Sequence, residues 1–74
     1  MVKQSGYNWK KVMTAKEVIS ELDRNGWVLD RIRGSHYIFI KNKIALTVPY
    51  HKNIKKGLLE DIKKQVAMAD STTE

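Results

Sequence analysis

Apolar positions along the chain change period twice, and those changes mark its elements. From Ala15 through Val18, Ile19 and Leu22 they follow the i, i+3, i+4, i+7 spacing of one helix face. Thr14-Ala15-Lys16-Glu17 reads as a capping box at the start of that helix, with Met13 and Val18 as its hydrophobic staple. Asn25-Gly26 supplies the left-handed stop. The period then falls to two, predicting strands at Trp27 to Arg31, His36 to Lys41 and Ile44 to Val48. Their links, Arg33-Gly34 and Asn42-Lys43, are too short for a parallel crossover, so the sheet is an antiparallel meander. Pro49 closes the third strand because it cannot donate to a ladder. A basic loop over Tyr50 to Asn53 leads to a second helix, predicted from near Asn53 to about Ala67, with Ile54, Leu58, Ile62 and Val66 along one side and Leu59 widening the stripe.

The order α-β-β-β-α predicts an α+β, two-layer domain, with both helices on one face of a three-stranded antiparallel sheet and the other face open. Residues 1–13 are polar and mixed and are expected as a flexible arm; 14–69 form the single domain, and 70–74 a flexible tail. Along the second strand, Tyr37 and Phe39 offer the larger apolar area and are expected against the helices. His36, Ile38 and Ile40 then fall on the open face. Two exposed aliphatics beside a histidine suggest a partner surface.

Composition narrows the chemistry. A chain of 74 residues is one domain with an economical core. It has no cysteine and two histidines, which argues against a disulfide framework and against a zinc cluster. The apolar runs are far below the roughly 20 residues of a membrane span, and Met1 to Gly6 lacks the apolar core of a secretory signal, so the expected location is cytoplasmic.

Charge then singles out one segment. The formal net charge is +6 and the pI about 9.7, which favours a nucleic acid or acidic protein as partner. Between Arg31 and Lys56 stand seven basic residues, Arg31, Arg33, Lys41, Lys43, Lys52, Lys55 and Lys56, with both histidines and no acid. All eight acids lie outside that window. At its head, Arg33-Gly34-Ser35-His36 sets a flexible glycine and a hydroxyl directly before an imidazole.

That tetrapeptide, the Gly26-Trp27 after helix one, the Val48-Pro49 closing strand three and the helix with Gly57 near its start and Lys64-Gln65 further on together resemble the HicA family of toxin ribonucleases, from about Thr14 to Ala67. The resemblance implies a double-stranded-RNA-binding-like fold, cleavage of messenger RNA without a metal or other cofactor, and neutralisation by a HicB-like antitoxin. The family's essential histidine follows Gly-Ser and maps onto His36. The chain departs from the family where a second histidine commonly stands, here Tyr37, and where His-Pro is often found, here Tyr50-His51.

Residue chemistry supports the same assignment. RNA cleavage by proton transfer needs a base for the ribose 2′-hydroxyl, an acid for the departing 5′-oxygen and donors on the phosphate, and an imidazole with pKa near ~6.5 serves either proton role. His36 is the expected catalytic group. Arg33, Gly34, Ser35, Lys52 and Lys55 are the expected phosphate contacts, with His51 and Tyr50 as auxiliary candidates. Two other readings stay open: a non-catalytic RNA-binding module of the same fold, and a basic face that serves only an acidic protein.

Overall fold

The computed structural model describes residues 6–71. Its elements are α1 (Ala15–Arg24), β1 (Val28–Arg33), β2 (His36–Lys41), β3 (Ile44–Pro49) and α2 (Lys56–Ser71), with the antiparallel sheet ordered β1-β2-β3. The α+β expectation is thus met. At the start of α1, the Thr14 side chain accepts from the Glu17 amide at 3.1 Å and the Thr14 amide donates to Glu17 Oε1 at 2.9 Å, completing the capping box.

The end of α1 accounts for a shift in β1. Trp27 N–H donates back to the Leu22 carbonyl at 3.0 Å and Gly26 N–H to that of Asp23 at 3.5 Å, with Gly26 at φ +92°. This Schellman arrangement commits the Trp27 amide to the helix, so the strand begins one residue later than its apolar pattern suggests. Trp27 itself is buried.

Both hairpins use turns that require positive φ. Gly34 has φ +60° at the first central position of the β1–β2 turn, which spans Gly34-Ser35 rather than Arg33-Gly34. Asn42 and Lys43, at φ 50° and 68°, are both left-handed, as a type I′ turn demands. β3 runs through Pro49, which pairs with His36. Pro49 brings no N–H of its own, and the next amide, Tyr50 N–H, donates to Ser35 O at 2.7 Å. The loop after β3 is thereby tied to the turn before β2.

α2 begins later than expected, at Lys56. Ile54 N–H donates to Met13 O at 2.7 Å in an isolated antiparallel bridge, so Asn53 lies in a bend before the bridge, three residues ahead of the helix, and not at its cap. The helix then continues beyond Ala67 through Ser71, burying Ala69. Residues 70–71, expected in a tail, are its last turn; 72–74 lie outside the described residues.

The arm differs from its expectation as well. Its first five residues lie outside the described residues, but residues 6–13 are laid against the helices. Gly6 N–H donates to Asn25 Oδ1 at 3.2 Å and Asn8 N–H to Glu21 Oε1 at 2.9 Å, while Lys10 Nζ meets Glu17 Oε2 at 2.9 Å. Tyr7 and Trp9 stack with centroids 5.2 Å apart, and the Tyr7 hydroxyl accepts from Trp27 Nε1 at 3.0 Å. Met13 is fully buried. A polar composition concealed these contacts because two are made by backbone amides, which carry no side-chain signal, and the rest depend on partners distant in sequence.

The core lies between the helices and the β2–β3 half of the sheet. Val18, Leu22, Phe39, Leu46, Val48, Leu59, Ile62 and Val66 are all buried. Both helices pack on β3, leaving β1 exposed along its whole length. Lys41 Nζ clamps this layer at one end, donating to Asn25 O at 2.6 Å and to Asp70 Oδ1 at 2.8 Å.

Candidate functional site

Cross-strand register defines the open face. Directly paired residues share a face, so Arg33, His36 and Pro49 form one row, Arg31, Ile38 and Thr47 the next, and Val28, Ile40 and Ala45 the third. The helix side carries Leu29, Phe39 and Leu46, then Ile32, Tyr37 and Val48. Arg31 and Arg33, two residues apart, share the open face by plain alternation. The bulge between Leu29 and Arg31 shifts the faces of the residues before it, which puts Val28 on the same side.

His36 stands at the end of β2, next to the Gly34-Ser35 turn, and is exposed. Among the described residues its imidazole makes no hydrogen bond, so the side chain is not held as a hairpin cap. Arg33 lies opposite it in the register and forms no ion pair among the described residues. Space above Gly34 is open, since a Cβ there meets nothing within 4 Å.

The other expected site residues lie elsewhere. The Tyr50 ring stacks on Tyr37, with centroids 4.9 Å apart and planes at 28°, which places it on the helix side of the sheet and away from the His36 row. His51 is fixed through its backbone: its N–H donates to Pro49 O at 2.9 Å and its carbonyl accepts from Ala15 N at 3.1 Å. That bond satisfies one of the free amides at the start of α1. His51 and Lys52 share a cavity of about 370 Å³ with Thr14, Lys16 and Tyr50. Lys55 lines a larger one, between the arm and the start of α2. Arg33, Gly34, Ser35 and His36 are therefore brought together, while Tyr50, His51, Lys52 and Lys55 follow the rim of the molecule away from them.

Charge is less free in space than in sequence. Arg31 Nη1 meets Asp30 Oδ2 at 2.7 Å and Lys41 meets Asp70, so two of the window's cations are neutralised by acids that flank it. Arg33, Lys43, Lys52, Lys55 and Lys56 have no ion pair among the described residues. Arg31 is a further candidate contact, not among those expected from the sequence; its signal is the i, i+2 spacing from Arg33 along one strand, which puts both on one face. No group of three or more His, Cys, Asp or Glu side chains gathers among the described residues.

An exposed imidazole and a guanidinium without an ion pair among the described residues thus share one uncovered sheet face. The chain matches the family described as HicA toxin of bacterial toxin-antitoxin over residues 15–68, and it belongs to that family. Comparison with curated proteins and with solved structures gave no match. The match covers every described element of the domain except the end of α2. No helix among the described residues is long and apolar enough to cross a membrane.

Proposed function

We propose that this toxin is an endoribonuclease that cleaves messenger RNA without a metal, using His36 for proton transfer. The observation that carries the reading is the exposed His36 imidazole, in register with Arg33, neither with a side-chain hydrogen bond or ion pair among the described residues. In the reaction, the ribose 2′-oxygen bonds to the neighbouring phosphorus as the bond from phosphorus to the 5′-oxygen breaks. One proton leaves the 2′-hydroxyl and another arrives on the departing 5′-oxygen, giving a 2′,3′-cyclic phosphate and a 5′-hydroxyl. His36 carries one of these protons. Arg33 holds the non-bridging oxygens, a charge-assisted contact suited to its planar fork. Gly34 leaves the turn open for the phosphate, and the Ser35 hydroxyl is a donor beside it.

The His51 backbone is tied to Pro49 and to the start of α1, and the Tyr50 ring belongs to the Tyr37 stack. Both are assigned to the rim along which Lys52 and Lys55 guide the strand. The inhibitor is a HicB-like antitoxin that covers the His36 row, with carboxylates set against Arg33. Exposed Val28 and Ile40 at the other end of that face give it apolar area to bury.

The test is cleavage of a labelled RNA in EDTA by the purified chain and by His36→Ala. A loss of about 10²-fold to 10⁴-fold in rate with RNA affinity retained is expected for a proton-transfer group. Cleavage at the parental rate in the variant refutes the assignment. Binding without cleavage in the parent chain makes the protein a non-catalytic RNA-binding module instead.

A further inference from the structure

A basic concavity lies apart from the Arg33 to His36 segment. The arm and the loop before α2 are pinned together by the Ile54–Met13 bond of 2.7 Å, and between them opens a cavity of about 660 Å³. Five lysines line it, Lys10, Lys11, Lys55, Lys56 and Lys63, against one carboxylate, Glu60. Lys63 reaches Glu60 at only 3.5 Å, and Lys10 is paired with Glu17 outside the cavity. Lys11, Lys55 and Lys56 have no ion pair among the described residues. Gathering like charges around one concavity opposes folding, and a polyanion that enters it offsets that repulsion.

We infer that this groove is a second binding site, which takes the phosphate backbone of the same RNA strand at a distance from the cleavage centre. The inference rests on the ribonuclease reading for the direction of the strand. Tyr50 is tied to the turn beside His36, and the five residues from Tyr50 to Lys55 span at most ~18 Å even when extended. One strand therefore reaches both places along the Lys52 rim. Ammonium groups on flexible stems act as point charges for phosphate and read no base, so the groove adds affinity without sequence preference. Two of its five lysines, Lys10 and Lys11, precede the family match.

The experiment measures RNA binding to His36→Ala against salt, with and without the added pair Lys11→Gln and Lys56→Gln, using labelled RNAs of about 20 and about 4 nucleotides. Two lost phosphate contacts lower the salt slope on the long RNA by about 1.4 and weaken binding about tenfold at 0.15 M salt, since each contact to a single strand contributes ~0.7. The short RNA is expected to bind unchanged. An unchanged slope on the long RNA overturns the inference, and so does equal weakening on the short RNA. Loss of binding to poly-glutamate with RNA binding intact also overturns it and assigns the groove to an acidic protein. If the slope falls while the parent chain leaves RNA uncut, the groove stands and the ribonuclease reading fails. If the parent cuts RNA but the slope holds, the groove alone fails.

Discussion

Tyr7→Phe tests whether the arm is part of the folded domain. The substitution keeps the ring that stacks on Trp9 and removes only the hydroxyl that accepts from Trp27 Nε1 at 3.0 Å. Trp27 is 2% exposed, so water cannot replace the lost acceptor without opening the core. Leaving a buried donor unsatisfied costs about 1–3 kcal/mol. For a chain of 74 residues, whose total stability is expected at about 4–11 kcal/mol, that is a sizeable share. At 2 kcal/mol, Tm falls by about 8–16 °C. Thermal and urea unfolding followed by circular dichroism read the change, and a double-mutant cycle with Trp27→Phe isolates the bond. In the Trp27→Phe background the tyrosine change should cost under about 0.5 kcal/mol, because no donor is left to strand. Tyr7→Phe unfolding with parental stability, or additive costs in the cycle, refutes a docked arm. Burial raises the Tyr7 pKa, with the Trp27 hydrogen bond opposing the rise. The folded state therefore holds this proton more tightly, and the associated stability is full below about pH 10 and lost as pH rises through the folded value.

Two further predictions concern stability. Lys43 sits at φ 68°, where a side chain costs about 1 kcal/mol, so Lys43→Gly is expected to stabilise the domain by about 0.5–1 kcal/mol; an unchanged or lower urea midpoint would contradict the type I′ assignment. Glu17 and Glu21 have lowered pKa values, chiefly from the amide hydrogen bonds of Thr14 and Asn8 respectively, with Lys10 and Arg24 assisting. Their contributions are present above the ordinary value of 4.5 and vanish as pH falls through the folded values, so Glu17→Gln and Glu21→Gln should each flatten the acid limb of a stability-against-pH curve. A limb equally steep in both variants would mean that these caps do not act in solution.

Local signals were legible where the chemistry is local. The Thr14 to Glu17 cap, the Asn25-Gly26 stop, the Asn42-Lys43 turn and the limits of β2 each depend on neighbours a few residues away. Alternation along β2 separated two sets, and the larger apolar area of Tyr37 and Phe39 chose the one that the structure turns to the core, with Phe39 buried and His36 exposed. The start of α2 was not legible, because Ile54 belongs at once to an apolar stripe and to a bridge with Met13, distant in sequence. The site was legible only at its centre: Arg33 to His36 are contiguous, whereas the separation of Tyr50 from His36 depends on which side of the sheet each residue meets.

By itself the sequence determined the element order, the antiparallel meander, the family and the contiguous Arg33 to His36 segment, since all of these follow from periodicity, turn chemistry and a short motif. Tertiary structure decided what became of the charge. Asp30 and Asp70 come within 2.7 and 2.8 Å of Arg31 and Lys41, and pairing with β2 sets Arg33 opposite His36. The arm, which reads as loose, closes a lysine-lined groove through hydrogen bonds from its backbone. Backbone amides look the same at every residue, so no side-chain pattern announces where they will bond.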